Sequence, residues 1–161
     1  RQYPQVEVRI VPFKLQTRGA AETIFIGLQH MKSSELSRKT ICLDCDNLYF
    51  SDVLGAFRQL PRSSGACFYF TDEGTVALYS YLSLGDERNV TEVHEKNAVS
   101  NLANVGAYGF PNASSLRKYT EEVLNSPQRK AMKYYLSNII NRMIQAGYSF
   151  MALPAEETRQ C

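Results

Sequence analysis

The sequence lacks three features that would each indicate a particular class of protein: a long hydrophobic run, a basic cluster and a signal peptide. A membrane-spanning helix needs about 20 consecutive apolar residues, and no stretch approaches that length. A net charge of +2 on 161 residues is too small to indicate binding to nucleic acid or to an anionic membrane. The N-terminus is polar and alternating. We therefore expect a cytoplasmic protein with neither a nucleic-acid nor a membrane partner.

Cysteine and histidine are too scattered to predict a zinc site. Cys42 and Cys45 have the C-x-x-C spacing, but a zinc site would also need a second pair or clustered histidines. His30 and His94 lie far apart in the sequence. Cys42 falls within an apolar, strand-like run, so we expect its thiol to be a small buried side chain. This use of cysteine is typical of a reducing compartment.

The length of 161 residues fits a single domain spanning 1–161, with a substantial hydrophobic core. The chain starts with Arg1, and its first methionine is Met31. We therefore expect the sequence to be a piece of a longer protein. That expectation matters for function, because a piece can lack part of an active site.

Hydrophobic periodicity predicts alternating strands and helices, then a run of strands, and then helices again. The predicted strands cover 6–13, 39–46, 65–71, 76–84, 89–96, 103–110 and 148–153, and the predicted helices cover 20–32, 51–60, 112–125 and 129–146. The Asp-Glu-Gly stretch at 72–74 favours a hairpin turn. This order of elements indicates an α/β protein with a mixed sheet. In such folds ligands bind beyond the carboxyl ends of the strands.

Two carboxylates follow the predicted strand at 39–46. Asp44 and Asp46 end the apolar run "ICLDCD", and Asn47 could orient a carboxylate or a phosphate. Paired carboxylates at a strand end suit Mg²⁺, which in turn holds phosphate oxygens. Three chemistries fit this pattern: an aspartate-nucleophile phosphatase, a D-x-D glycosyltransferase that holds a nucleotide-sugar through a metal, and nucleotidyl transfer to a sugar phosphate. The alternative without a metal site is that one of the two aspartates caps the following turn while the other is solvated.

The stretch "EKNAVSNLANVGAYGF" at 95–110 places charge, amide and glycine at the mouth of a buried strand. Glu95 could accept hydrogen bonds from sugar hydroxyls, and Lys96 could supply a point charge for a phosphate. Gly106 would allow backbone to approach a sugar ring closely. The alternative is that Glu95 and Lys96 form a solvated turn and that Gly106 marks a bulge.

Taken in order, these segments resemble the core of the sugar-1-phosphate nucleotidyltransferases, such as glucose-1-phosphate thymidylyltransferase. The similar stretches are "QTRGAAETIFIGLQ", "LDCDNLYFSDV", "YSYLSLGDERNVTEVHEKN" and "NLANVGAYGF", and together they span roughly 10–153. The resemblance implies a three-layer α/β/α nucleotide-diphospho-sugar transferase-like fold with a mixed, mostly parallel sheet. It also implies an NTP and a sugar 1-phosphate as partners, with Mg²⁺ as cofactor, and it leaves homo-oligomerisation open.

The resemblance assigns roles to individual residues by matched position. Asp46 corresponds to a catalytic Mg²⁺ ligand near the phosphates, Glu95 to an acceptor of sugar hydroxyls, and Lys96 to a catalytic contact of the sugar phosphate. The remaining substrate-binding positions line the sugar pocket or the nucleobase site: Asn104, Val105 and Gly106 for the sugar, and Gln16, Glu22 and Gly27 for the base.

The sequence also departs from this family. The Gly-rich loop with Arg and a downstream Lys, which holds the triphosphate, is not found, and Ser80 follows Tyr79 where the family usually has Gly. We therefore expect the parent protein to join an NTP and a sugar 1-phosphate, while this piece alone is inactive. The alternatives are a non-catalytic, regulatory homologue that binds a sugar phosphate or nucleotide-sugar, and a D-x-D glycosyltransferase.

Overall fold

The computed structural model describes residues 7–126, 133–155 and 158–160. Its helices are α1 (Ala20–Gln29), α2 (Val53–Gln59), α3 (Ala113–Leu124) and α4 (Leu136–Gln145). Its strands are β1 (Thr40–Leu43), β2 (Asn47–Tyr49), β3 (Gly65–Thr71), β4 (Ser80–Leu84), β5 (Val90–Glu95), β6 (Leu102–Phe110), β7 (Phe150–Pro154) and β8 (Thr158–Gln160). Within the described ranges, no helix is both long and apolar enough to cross a membrane.

Six strands form one mixed sheet in the order β5-β4-β6-β3-β7, with β1 pairing with β6, and β2 pairs separately with β8. This confirms the predicted α/β fold with a mixed sheet. The expectation of a mostly parallel sheet is wrong for the described strands, because only β3 and β7 pair in parallel. The β4–β5 connection shows one physical reason, since its few residues are too short for the crossover that a parallel pair requires.

Strand β6 organises the sheet because it pairs with three others. Strand β3 runs along one flank, while β1 and β4 share the opposite flank. On that flank β1 ends at Leu43, opposite Ala107, and β4 pairs with β6 through Tyr81, opposite Ala103. The sheet is therefore split between the end of β1 and the start of β4, beside residues 104–106.

Helices cover both faces of the sheet, as the three-layer arrangement requires. On one face α1, α3 and α4 enclose the larger core, in which Phe110 and Phe150 meet edge to face at 5.9 Å. On the other face α2 contributes Val53 and Phe57 to a smaller core. Side chains alternate between the two faces along a strand, so Phe68 of β3 packs in the smaller core while Cys67 packs in the larger.

The helix starts follow the local chemistry of the sequence. Asp52 caps α2 by accepting a hydrogen bond from the Gly55 amide at 2.8 Å, and Asn112 caps α3 by accepting one from the Ser115 amide at 2.7 Å. The predicted helix at 129–146 is only partly observed. Residues 127–132 lie outside the described ranges, and α4 begins at Leu136.

Two local predictions are wrong. Residues 7–13 of the predicted first strand form no strand. Within the described residues, this segment is held by Arg9, which forms an ion pair with Glu35 at 3.1 Å. The expected hairpin at 72–74 does not form either, because β6 lies between β3 and β4. Asp72 instead accepts hydrogen bonds from the Gly74 amide and the Tyr81 hydroxyl.

The contact between β6 and α2 leaves no room for a side chain at Gly109. An added Cβ there would meet ring carbons of buried Phe57, two of them at 2.7 Å. We expect Gly109→Ala to lower the free energy of unfolding by about 1–3 kcal/mol, through overpacking.

Gly27 offers a matched control. It lies inside α1, and nothing lies within 4 Å of a Cβ added there. Gly27→Ala should raise the free energy of unfolding by about 0.5–1 kcal/mol, because alanine loses less conformational freedom in a helix. Urea unfolding measures both changes, and equal destabilisation by the two variants would contradict this description of the core.

Candidate functional site

A cavity of about 460 Å³ opens at the split in the sheet. Its lining combines acids, amides and a serine with aromatic rings, aliphatic side chains and a glycine. The lining residues are Ala20, Asp44, Asp46, Asn47, Phe70, Leu78, Tyr79, Ser80, Glu95, Asn104, Val105, Gly106, Tyr108, Tyr135 and Leu136. The prediction from sequence places Asp46, Asn47, Glu95 and 104–106 at one site, and the structure brings all of them to this cavity.

Gly106 shapes the cavity floor through its backbone. The register between β3 and β6 shifts here, and Gly106 has φ 76°, in the left-handed region that favours glycine. A Cβ at this position would collide with the carboxylate of Asp44 and would lie 2.8 Å from the Asn47 side-chain nitrogen. The missing side chain therefore makes the space that these two polar groups occupy.

Several side chains form hydrogen bonds to the β6 backbone at this register shift, which we call the bulge in β6. Asn104 is buried, and its oxygen accepts a hydrogen bond from the Gly106 amide at 2.7 Å. Asn47 donates to the Val105 carbonyl at 3.0 Å, and the Tyr49 hydroxyl donates to the Gly106 carbonyl at 2.9 Å. These bonds leave Asn104 and Val105 little capacity for polar contacts, so their contribution to the cavity is mainly its shape.

Two serine hydroxyls orient Glu95. The Ser80 hydroxyl donates to Glu95 Oε2 at 2.6 Å, and the Ser137 hydroxyl donates to the same oxygen at 3.2 Å. Ser80 is the first residue of β4, opposite Glu95 of β5, whereas Ser137 comes from the first turn of α4. The carboxylate is thus held from two directions by neutral donors.

Helix α4 is fastened to β5 by a side-chain amide. Asn141 accepts from the Val93 amide and donates to the Val93 carbonyl, both at 2.8 Å. Ser137 lies one turn before Asn141, and Glu95 lies two residues after Val93, so each pair shares a face of its element. The bond to Val93 therefore sets the distance from which Ser137 reaches Glu95.

The cavity is electrostatically negative. Partial loss of hydration at the cavity wall, followed by the charges of Asp46 and Glu95, raises the pKa of Asp44 above its usual value. Burial raises the pKa of the Tyr108 phenol far above its usual value, and the carboxylates of Asp44 and Glu95 act in the same direction. Tyr108 is therefore a neutral hydroxyl at any physiological pH.

The donor set fits a hard divalent cation that keeps water and substrate oxygens as further ligands. Asp44 and Asp46 supply carboxylates whose mutual repulsion a cation would relieve, and Mg²⁺ commonly takes only one or two protein carboxylates. Among the described residues, no group of three or more His, Cys, Asp or Glu side chains is arranged to hold a metal. Cys42 adds no ligand of this kind, because burial raises the pKa of its thiol to about 12.

The other predicted site residues do not line the cavity. Lys96 directly follows Glu95 but is exposed, with φ 51°. Glu22 on α1 is paired with Arg18, whose guanidinium donates to it at 2.7 Å. Gly27 lies further along α1, and Gln16 is exposed before that helix. The roles assigned to these residues stay predictions.

Sequence reasoning missed some of the cavity. The sequence marks Ser80 only as a residue that stands where the family usually has Gly. Ser137 lies within the predicted helix at 129–146, whose apolar face indicates core packing. Tyr108 and Tyr135 fall within the predicted strand at 103–110 and the predicted helix at 129–146, where nothing local marks them as cavity residues. For Ser80, the available signal was its place within the predicted strand at 76–84, where the family usually has Gly. For Ser137 and Tyr135, no local pattern indicates proximity to Glu95.

No family model matches the sequence, and no curated protein matches it. Among solved structures, the chain is similar to a nucleoside-diphosphate-sugar pyrophosphorylase from Vibrio cholerae RC9, with TM-score 0.72 and 21% identity over 92% of this chain and 63% of that one. It is also similar to a protein assigned as a glucose-1-phosphate thymidylyltransferase from Bacillus anthracis, solved with sucrose, with TM-score 0.67 and 12% identity over 88% of this chain and 55% of that one. The chain thus spans less than two thirds of either neighbour. At these identities the likeness shows a nucleotidyltransferase-like fold.

The raised pKa of Asp44 has a consequence for stability. A carboxyl whose pKa is higher in the folded than in the unfolded state lowers the free energy of unfolding once the pH rises through that folded value. We expect Asp44→Asn to stabilise the protein at pH 7, and the gain to shrink as the pH falls toward about 4, the usual pKa of Asp.

Asp72 provides a control of opposite sign. Hydrogen bonds from the Tyr81 hydroxyl and the Gly74 amide lower its pKa. Asp72→Asn should therefore destabilise at neutral pH, with a loss that diminishes in acid as Asp72 becomes protonated. Urea unfolding across this pH range measures both variants, and a stability change for Asp44→Asn that is independent of pH would refute the assigned electrostatics.

Proposed function

We propose that the cavity binds a sugar 1-phosphate together with Mg²⁺, and that the chain is the core of a nucleotidyltransferase. The parent reaction would join an NTP and the sugar 1-phosphate into a nucleotide-sugar and pyrophosphate. The observation that carries the proposal is the meeting of Asp46, Glu95 and Gly106 in one cavity, within a nucleotidyltransferase-like fold.

Glu95 is the best-placed group for a sugar hydroxyl. Its Oε2 already accepts from Ser80 and Ser137, and no bond from a described residue reaches Oε1. Both of these described bonds go to Oε2, so Oε1 is the oxygen that we assign to the ligand. A charged acceptor with a fixed orientation contributes both affinity and selectivity for a hydroxyl at one position.

Asp46, with Asp44 beside it, would hold Mg²⁺. The cation would neutralise negative charge on the phosphates, in a cavity whose own charge is also negative. The glycine at 106 would admit the sugar ring close to the β6 backbone. Catalysis in this class is chiefly a matter of positioning and charge neutralisation, so no covalent nucleophile is needed.

A second candidate is a non-catalytic protein that binds a sugar phosphate or a nucleotide-sugar. One observation favours it: among the described residues, no Lys or Arg lines the cavity. A triphosphate carries several negative charges, which fixed cations and amides must hold during reaction. Pyrophosphate release from pairs of NTP and sugar 1-phosphate separates the two candidates, because a binding protein would show affinity without turnover.

The proposed role of Asp46 as a Mg²⁺ ligand can be tested by the dependence of ligand binding on Mg²⁺. In the full chain we expect Asp46→Asn to weaken Mg²⁺-dependent binding of glucose 1-phosphate by about tenfold or more, because one carboxylate ligand becomes a neutral amide. Isothermal titration with and without Mg²⁺ measures the effect. Asp86→Asn, on a surface turn away from the cavity, is the matched control and should bind like wild type. A silent Asp46→Asn beside a damaging Asp44→Asn would move the metal assignment to Asp44.

Glu95 can be tested through the sugar. Glu95→Gln keeps the shape but replaces a carboxylate acceptor with a neutral one, so binding of a sugar 1-phosphate should weaken by about 1–3 kcal/mol. Glu92→Gln makes the same chemical change at an exposed position of the same strand and should have no effect. Isothermal titration over several sugar 1-phosphates measures both, and unchanged affinities for Glu95→Gln would remove this residue from the site.

A further inference from the structure

The charge balance of the cavity indicates more about its ligand than a general affinity for sugar phosphates. Its lining includes the three carboxylates of Asp44, Asp46 and Glu95, and no described Lys, Arg or His. The protein as a whole carries a net charge of +2, so this negative charge is a local concentration. A divalent cation at Asp44 and Asp46 would face these two carboxylates and the phosphate of the ligand, and it would leave Glu95 without a described cationic partner.

Three described Lys or Arg residues lie within two sequence positions of the lining, and none of them lines the cavity: Arg18, Lys96 and Lys133. Lys96 is exposed and does not line the cavity. Arg18, two residues before Ala20, donates to Glu22 at 2.7 Å and stacks on Tyr134, with its guanidinium carbon 4.8 Å from the ring centre. The described partners of Glu95 are two neutral hydroxyls, which bond to the same oxygen.

Four aromatic residues are also part of the cavity lining. Phe70 and Tyr79 meet edge to face with centres 5.1 Å apart, and Tyr108 and Tyr135 complete the aromatic part of the lining. Aromatic faces attract cations that lie within about 6 Å of the ring centre. A hydroxyl would give Glu95 a hydrogen bond but would leave its charge unpaired, whereas a protonated amine supplies both.

We infer that the ligand of this cavity is a phosphate ester whose organic part carries a protonated amine, and that Glu95 Oε1 binds that amine. The inference rests on the proposed function and narrows its substrate class, from sugar phosphates in general to aminosugar phosphates. Ser80 and Ser137 act as positioning residues, because they occupy Oε2 and leave Oε1 for the ligand.

The test compares ligands that differ by one group. Glucose 1-phosphate and its four monoamino analogues, with the amine at C2, C3, C4 or C6, are titrated in Mg²⁺ into the full chain and into Glu95→Gln. At least one amino analogue should bind wild type about tenfold more tightly than glucose 1-phosphate, and the preference should disappear in Glu95→Gln but persist in Glu92→Gln.

Two results would overturn the inference while the proposed function stands: glucose 1-phosphate binding as tightly as every amino analogue, or a preference that survives in Glu95→Gln. If none of the five phosphates binds, both the inference and the proposed function fail. If Glu95→Gln does not fold, the comparison on wild type still overturns the inference when no amino analogue binds more tightly than glucose 1-phosphate. A Ser137→Ala variant should narrow the preference, and Ser137→Thr, which keeps the hydroxyl, should restore it.

Discussion

The left-handed backbone at Gly106 is the constraint on which the site depends. Any side chain there would displace the carboxylate of Asp44 and the amide of Asn47. The carbonyl of Gly106 accepts a hydrogen bond from the Asp44 amide at 2.8 Å, and the amide of Gly106 donates one to the Asn104 side-chain oxygen at 2.7 Å. One glycine in the central strand therefore joins the end of β1 to the bulge in β6, and the split in the sheet opens beside it.

The cavity walls combine a rigid frame with groups left free for a ligand. Asn104, Asn47 and Tyr49 use their polar atoms on the β6 backbone, which fixes the shape of the floor. The carboxylates of Asp46 and Glu95 line the same cavity, and the proposed function assigns the ligand contacts to them. Buried polar groups whose hydrogen bonds are all made rigidify a site. A rigid site can hold its own charges next to the charges of a ligand or of a transition state.

Fold and function rest on different observations here. The likeness to two solved structures shows the fold, at an identity too low to transfer an activity. The proposed function depends instead on which side chains line the cavity and on their hydrogen bonds. Helix α4 illustrates the difference: its packing is ordinary, but the bond from Asn141 to Val93 brings Ser137 to Glu95 and so affects the site directly.

The sequence by itself determined what depends on near neighbours: the helices predicted at 51–60 and 112–125, the extent of β3, and the acidic end of β1. It also indicated the polar residues at strand ends, Asp46, Asn47 and Glu95, and the glycine of β6 at 106. Only the tertiary structure decided which strands pair, so the hairpin at 72–74 and the mostly parallel sheet were wrong. It alone brought Ser137 to Glu95 and left Lys96 outside, since contacts between residues distant in sequence depend on how the elements pack, which no local pattern encodes.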